Sequence, residues 1–172
     1  MYFRVLDTPL PAALLTQCAE VAAGAHASLP QRKVATLTDA RVYLLKHMTT
    51  PRVLVCAGIE GDRVRGVAVG VVETRTWPAM FQLSVFCVAP DRQSQGFGSD
   101  LLDFTLRHAH ARGADFAHIA LPLDARAQRF LVSKGFRPDE DGIHLRYPMS
   151  EDSTGVMSAN EAAHMFSTDE VA

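Results

Sequence analysis

A short polar segment with two glycines has the residue types and spacing of an anion-binding loop. It follows an apolar run, 85–88, and precedes an amphipathic segment, 100–112. This pattern predicts a strand, a loop and a helix, so the loop would bring free backbone N–H groups to a helix N-terminus, where the macrodipole also favours an anion. Gly96 and Gly98 have no Cβ, which allows a phosphate to approach the backbone closely. The predicted ligand-binding residues of the loop are Gln93, Ser94, Gln95, Gly96, Phe97, Gly98 and Ser99.

Two common phosphate-binding loops do not fit this segment. A Walker loop ends in Gly-Lys-Ser/Thr, which is absent, and the dinucleotide fingerprint G-x-G-x-x-G would need a glycine where Leu101 stands. The pattern that fits is Q-x-x-G-x-G at 93–98, directly after a predicted strand that ends in Val-x-Pro. This arrangement resembles the acyl-CoA-binding motif of the GNAT N-acetyltransferase superfamily.

A second segment extends the resemblance. After an apolar strand at 116–121, residues 124–136 resemble the family's second signature, in which a polar residue, here Asp124, caps a short helix that ends in Gly135-Phe136. The motif match is specific over 83–136, and the order of elements matches over 1–149. The resemblance implies that the chain binds acetyl-CoA.

The resemblance also implies which residues contact the cofactor. The loop N–H groups would bind the pyrophosphate, and the strand before the loop would pair its backbone with the pantetheine arm. Basic groups near the loop and on the following helix would meet the 3′-phosphate, without the sequence deciding among Arg92, Arg126, Arg129 and Lys134. Besides the loop, the predicted cofactor-binding residues are Phe86, Cys87, Val88, Asp124 and Arg129.

The implied reaction is direct attack of a neutral primary amine on the thioester, with the Val88 N–H polarising the carbonyl as an oxyanion donor. Many family members carry a tyrosine acid in the last helix, where this chain has Leu131, and some carry a glutamate base in the strand before the loop, where this chain has none. Glu73 and Tyr147 are the predicted substitutes, although each also fits an ordinary exposed or edge position.

These missing groups leave more than one function open. The favoured interpretation is an N-acetyltransferase with an unknown small-molecule or protein amine as acceptor, since proximity alone supplies up to ~7–11 kcal/mol of a barrier in favourable cases. The alternative is an acyl-CoA-binding regulatory module without turnover. A third interpretation is a protein that binds another nucleotide through the same loop. An acyl-cysteine mechanism at Cys87 is disfavoured because its apolar neighbours indicate burial.

Net charge and hydropathy limit the other classes of protein to which this chain could belong. The 172 residues carry 17 basic and 19 acidic groups; five of the acids and none of the bases lie in 150–172, which leaves 1–149 with 17 − 14 = +3. A mildly cationic body suits a polyanionic cofactor and is too weak to predict nucleic-acid binding. No run approaches the ~20 apolar residues of a membrane span. The start of the sequence shows no signal-peptide pattern.

The cysteines and histidines are scattered along the sequence. Cys18, Cys56 and Cys87 have apolar neighbours and predict reduced, buried thiols of a cytoplasmic protein. Because no cysteines or histidines cluster along the chain, the sequence predicts no metal site.

Hydrophobic periodicity and turn residues give the element order β-α-α-β-β-β-α-β-α-β. The strands are predicted at 2–6, 52–59, 64–73, 81–88, 116–121 and 143–147, and the helices at 8–24, 38–47, 100–112 and 124–134. The pattern alone indicates a mixed α/β (α+β) domain. The resemblance implies a GNAT fold with a mixed central sheet of about six to seven strands and about four helices.

The sequence changes composition after the last predicted strand. It predicts a GNAT domain over 1–149 and an acidic tail over 150–172, which is either disordered or forms a short docking helix from a capping box at 158–161. A homodimer through a sheet edge or the C-terminus is possible for such a fold.

Overall fold

The computed structural model describes residues 1–26, 36–75, 77–120 and 123–149. The predicted tail at 150–172 lies outside the described residues, so its conformation stays a prediction. The predicted element order is confirmed, with one additional short strand. The elements are β1 (Tyr2–Leu6), α1 (Ala12–His26), α2 (Leu37–Met48), β2 (Val53–Glu60), β3 (Arg63–Glu73), β4 (Met80–Val88), a 3-10 turn (Pro90–Arg92), α3 (Phe97–Ala111), β5 (Phe116–Ala120), α4 (Ala125–Ser133), β6 (Arg137–Pro138) and β7 (His144–Pro148).

The seven strands form one mixed sheet in the order β1-β2-β3-β4-β5-β7-β6. All neighbouring strands are antiparallel except β4 and β5, which are parallel. These two strands pair only where Met80–Gln82 lies beside Phe116–His118. The rest of β4 continues past the end of the pairing, so the sheet opens into a split between β4 and β5.

A β-bulge lies in β4 at the start of this split. Val69 pairs with Val85 and Gly70 with Leu83, so Ser84 is the extra residue on β4. The bulge changes which side chains face each side of the sheet. Phe81 and Leu83 belong to the core on one face, whereas Val85 and Cys87 belong to the core on the other.

Each face of the sheet is covered by a pair of helices. The first core, between the sheet and α1 and α2, contains Leu15, Leu44 and Val69. The second core, between the sheet and α3 and α4, contains Phe81, Leu102 and Leu131. This arrangement explains why the middle strands β2 and β3 are buried along nearly their whole length.

Side chains set the helix boundaries. Thr36 caps α2 in a capping box with Asp39, two residues before the predicted start. Asp124 caps α4 as predicted, because its carboxylate accepts the N–H groups of Arg126 and Ala127, each at 3.0 Å. Helix α3 begins at Phe97, inside the glycine motif and three residues before the predicted start.

Cys18, Cys56 and Cys87 are buried and form no disulfide bond, as predicted. Burial raises the pKa of the Cys18 thiol to about 12, that of Cys56 to about 11 and that of Cys87 to about 12. Within the described part of the chain, every helix is too short or too polar to cross a lipid bilayer.

Candidate active site

The outer edge of β4 carries backbone groups that face the split. The Ala89 N–H donates to the Arg65 carbonyl at 2.8 Å, so residue 89 directs its backbone towards β3. Neighbouring residues of a strand direct their N–H and C=O groups to opposite edges, so Phe86 and Val88 direct theirs into the split. A ligand in the split can therefore accept hydrogen bonds from two backbone N–H groups, those of Phe86 and Val88, along the same edge of β4.

Hydrogen bonds within the glycine loop hold it against the end of β4. The Gln93 side-chain amide donates to the Val88 carbonyl, and the Gln95 amide donates to the Asp91 carbonyl, both at 2.9 Å. Ser94 and Gly96 adopt positive φ angles of 61° and 84°. These two left-handed residues turn the chain from the 3-10 turn into α3.

Gly96 is the N-cap of α3 and has no side chain to occupy the helix end. The first intrahelical bond runs from the Asp100 N–H to the Gly96 carbonyl at 3.1 Å, so the N–H groups of Phe97, Gly98 and Ser99 point out of the helix end. A Cβ built on Gly96 would meet nothing within 4 Å. The site thus has unused donors, a favourable helix dipole and open space, which together fit a phosphate.

Phe97 fixes this helix end to the sheet. Its ring is 3% exposed and packs where two strand glycines provide space. A Cβ on Gly58 would lie 2.5 Å from the Phe97 ring, and a Cβ on Gly66 would lie 2.8 Å from it. Only the backbone of Phe97 is therefore placed to meet a ligand.

Cys87 is not placed to contact a ligand in the split, although the sequence predicts it as a cofactor-binding residue. Its backbone faces β3, in register with Val67, and its side chain lies in the core beneath α1 and α2. The raised pKa also keeps the thiol protonated, which removes the nucleophile that an acyl-cysteine mechanism needs.

The four basic residues considered for the 3′-phosphate differ in their partners. Arg92 donates to Glu60 through Nε at 2.9 Å, and its pKa is raised mainly by this hydrogen bond. The Lys134 Nζ lies 3.7 Å from an Asp103 carboxylate oxygen. The Arg126 guanidinium donates to the Ser94 hydroxyl at 3.0 Å and so lies directly beside the glycine loop. Arg129 is exposed one helical turn further along α4.

The structure does not bring the predicted catalytic residues together. Glu73 pairs with Met80, eight residues before Val88 on β4, which corresponds to roughly 25 Å along the strand. Tyr147 pairs with Ala117, also at the end where β4 and β5 are still joined, and its ring lies 5.2 Å from that of Phe136. Neither side chain reaches a reaction at Val88.

One polar side chain near the split was missed by the sequence analysis. The Tyr43 hydroxyl donates to the Ser84 carbonyl at 3.3 Å, which brings a tyrosine from α2 to the bulge where β4 leaves β5. Burial raises the pKa of Tyr43, so its hydroxyl remains a proton donor at neutral pH. No sequence signal shows this contact, because it depends on the bulge and on a separation of 41 residues.

Comparison with solved structures finds the same architecture. A GNAT-family protein from Desulfovibrio desulfuricans is 19% identical and superposes with a TM-score of 0.69 over 87% of this chain and 99% of that chain. An aminoglycoside 6′-N-acetyltransferase in complex with coenzyme A is 13% identical, with a TM-score of 0.66 over 87% and 98%. The ribosomal-protein-S18-alanine N-acetyltransferase of Escherichia coli is 20% identical, with a TM-score of 0.63 over 87% and 95%.

At the level of sequence, curated proteins give no significant match. The model of the acetyltransferase (GNAT) family, however, matches residues 14–136, which include the split, the glycine loop and both helices that follow it. Since this match spans well over half of the chain, the protein belongs to the GNAT family of acetyltransferases.

Proposed function

We propose that this protein transfers an acetyl group from acetyl-CoA to a primary amine by direct attack in a ternary complex. One observation carries the proposal: the glycine-capped start of α3 lies at the end of a strand edge that faces an open split. The first feature suits a pyrophosphate and the second suits an extended amide-containing arm, and acetyl-CoA contains both in this order.

In the proposed complex the loop binds the charged end of the cofactor. The N–H groups of Phe97, Gly98 and Ser99 donate to the pyrophosphate, and Arg126 adds a positive charge beside Ser94. Gln93, Gln95 and Asp124 act indirectly, since their side chains hold the loop and the start of α4. Arg129 is proposed as the second basic residue for a phosphate of the cofactor, because it is exposed one helical turn from Arg126.

The chemical step takes place along the β4 edge. The neutral amine nitrogen attacks the thioester carbon, and the oxyanion accepts a hydrogen bond from an N–H on this edge. The nitrogen then gives its surplus proton to water, and the C–S bond breaks to release the thiolate. Val88 and Phe86 are the candidate donors, because both direct their N–H into the split. Tyr43 lies at the bulge, two residues along β4 from Phe86 and four from Val88, so we propose that it supplies a proton to the leaving sulfur when Phe86 is the oxyanion donor. The family tyrosine position, here the buried Leu131, does not fill this role.

The proposed setting is the cytoplasm, where acetyl-CoA is available. Three buried cysteines without a disulfide suit a reducing compartment. The proposed acceptor is a primary amine of a small molecule or of a protein.

Two measurements test the proposal. Thermal unfolding is recorded with acetyl-CoA, CoA, ATP and NAD, and a ligand at ~100 times its dissociation constant should stabilise the folded chain by about 2.7 kcal/mol. A shift with the two CoA species alone supports the cofactor assignment. A shift with ATP or NAD alone, or with none of the four, contradicts it.

Release of free CoA thiol from acetyl-CoA is then followed with a panel of amines. Amine-dependent release supports the transferase. Tight binding of acetyl-CoA without release for any amine favours the alternative of a non-catalytic acyl-CoA-binding module.

A further inference from the structure

A cluster of two histidines and two aspartates lies on the sheet face opposite the second core, outside the residues assigned to the cofactor. His118 on β5 and His144 on β7 stack their rings with centroids 4.1 Å apart and planes inclined by 19°. The His118 Nε2 lies 2.6 Å from the Asp139 Oδ2, and the His144 Nδ1 lies 2.5 Å from the Asp141 Oδ2. Four chemically active groups therefore meet within one small volume.

Backbone hydrogen bonds of the β6–β7 hairpin hold both carboxylates in place. The Asp139 Oδ1 accepts the Glu140 N–H at 2.9 Å, and the Asp141 Oδ1 accepts the N–H groups of Ile143 and His144 at 2.9 and 3.1 Å. In each aspartate one oxygen is committed to the turn and the other is directed at a histidine. The positions of the two carboxylates are therefore set by the hairpin before any ligand arrives.

We propose that this cluster is a binding site for a divalent transition-metal ion, with His118, His144 and Asp141 as ligands and Asp139 as the residue that orients the His118 ring. Each of the three offers one ligand atom, and these atoms all lie within 4.8 Å of one another. Two ligands of a tetrahedral Zn²⁺ lie roughly 3.4 Å apart. Because the two ring planes are nearly parallel, binding also requires one imidazole to turn until the in-plane lone pairs of both rings meet at the ion.

The donor set indicates which ions fit. Two imidazole nitrogens and one carboxylate oxygen suit Zn²⁺, Co²⁺, Ni²⁺ or Cu²⁺, whereas Mg²⁺ and Ca²⁺ prefer oxygen ligands alone. A carboxylate that holds the second nitrogen of a ligating histidine, as Asp139 does for His118, is the usual outer partner of such a site. Three protein ligands leave one position of a tetrahedral ion to water.

Access and charge are compatible with an ion from solution. The side chains of His118, His144 and Asp141 are 12%, 22% and 40% exposed. Arg146, which pairs with His118 across the strands, brings one positive charge to the same face, but its guanidinium lies over the Phe116 ring. Arg137 on β6, which pairs with Arg146, adds a second positive charge, so the two carboxylates of the cluster balance the two guanidinium groups.

The cluster lies beside the point where the split between β4 and β5 begins. His118 pairs with Gln82, the last residue of β4 that is still joined to β5. An ion held here would stand at the point where the two strands separate, on the face that also carries the bulge contact of Tyr43. The proposal itself does not depend on acetyl-CoA or on transfer activity.

Isothermal titration of tag-free protein with ZnCl₂ tests the site directly. We expect one ion to bind per chain with a dissociation constant in the micromolar range or tighter. His118→Ala and His144→Ala should each weaken binding by at least ~100-fold, and Asp139→Asn by ~10–100-fold, as is typical of outer partners. His108→Ala, which removes a histidine that contacts Phe104 on α3, is the matched control and should bind as the unmodified chain does.

Titration with Co²⁺ gives a second readout, since its visible absorption reports the number and geometry of nitrogen and oxygen ligands. The expected spectrum is that of a four-coordinate ion, and it should be lost in His144→Ala. Circular dichroism and thermal unfolding show whether each variant is folded. If His118→Ala does not fold, His144→Ala and Asp141→Asn still decide the question.

Two results would overturn the proposal. One is the absence of saturable Zn²⁺ or Co²⁺ binding to the unmodified chain, in which case the cluster is only a pair of histidine–aspartate hydrogen bonds. The other is binding that persists in His144→Ala and Asp141→Asn, which would locate the ion elsewhere.

Discussion

At the scale of single residues, Gly96 is required both for its left-handed backbone conformation and for the open space that its missing side chain leaves. Its φ of 84° is a conformation that L-residues adopt only at a cost, and the space beside it is where a phosphate would lie. Gly61 in the β2–β3 hairpin shares the first property, with a φ of 62° and no atom within 4 Å of a built Cβ, but lies outside the glycine loop. Substitutions at Gly96 and Gly61 therefore distinguish the effect of backbone strain from the effect of lost ligand contact.

Replacing Gly96 by aspartate should weaken acetyl-CoA binding by ~100-fold or more, because a carboxylate would then face the pyrophosphate. Gly61→Asp should leave the affinity unchanged. Both variants should lose a similar ~1–2 kcal/mol of folding stability, the cost of a left-handed L-residue. Titration calorimetry and urea unfolding of both variants measure the two effects. Equal affinities in the two variants would contradict the placement of the cofactor phosphates at Gly96.

Local spacing in the sequence identified some site residues, but residues whose roles depend on tertiary placement could not be assigned. Gln93, Gly96 and Gly98 could be placed in a phosphate loop, because local spacing alone defines such a loop. The roles of Glu73 and Tyr147 could not be decided, because they depend on which end of the split each residue occupies. His118 and His144 are 26 residues apart in the sequence, so their stacking follows only from the pairing of β5 with β7.

At the scale of elements, the start of α3 is set by tertiary packing rather than by the local sequence pattern. The polar character of the motif places the predicted helix start at Asp100, yet the helix begins at Phe97. The reason is tertiary: the Phe97 ring fits the space left by Gly58 and Gly66, which no local pattern shows. The bulge at Ser84 and the two-residue strand β6 were missed for the same reason, since both are defined by pairing with a neighbour.

The packing of Phe97 predicts a link between the sheet and the cofactor loop. In Gly58→Ala the new methyl would lie 2.5 Å from the Phe97 ring, so the ring and the start of α3 must move. We expect a loss of ~1–3 kcal/mol in folding stability from overpacking. We also expect about tenfold weaker acetyl-CoA binding, because the N–H groups of the helix end move with the ring.

Leu44→Ala is the control for this prediction. Leu44 is fully buried on α2, beneath the opposite face of the sheet, and its truncation should cost ~2–5 kcal/mol. Because it does not touch α3, the affinity of the folded protein for acetyl-CoA should stay the same. A loss of affinity in Leu44→Ala equal to that in Gly58→Ala would show that general destabilisation, rather than the Phe97 contact, weakens binding.

At the scale of the whole molecule, one sheet separates two cores and opens between β4 and β5. The GNAT resemblance predicted the number of strands and helices, because the motif spacing identifies the family and the family implies the fold. The split arises because β4 and β5 pair over only three residues and β4 has a bulge at Ser84. The bulge directs the side chains of Val85 and Cys87 towards the first core. The three buried thiols are thus divided between the two cores, and their ionisation is linked to the stability of the whole sheet.

The pH dependence of folding follows from these thiols. In the folded chain burial raises the pKa of Cys18 and Cys87 to about 12 and that of Cys56 to about 11, from the ordinary value of 9.0. The unfolded chain therefore releases these protons first. Their contribution to stability is complete below pH 9 and is lost as the pH rises towards 11 to 12. Above pH 9 each thiol should lower the free energy of unfolding by about 1.4 kcal/mol per pH unit.

Urea unfolding at about pH 8 and about pH 10 measures this loss. Lysines and tyrosines also titrate in this range, so the decisive comparison is with the triple variant Cys18→Ala, Cys56→Ala and Cys87→Ala. Its unfolding free energy should be lower than that of the unmodified chain at pH 8, because three core side chains are shortened, yet it should fall less between the two pH values. An equal fall in both proteins would mean that the thiols ionise as readily in the folded sheet as in the unfolded chain, which their burial in both cores does not allow.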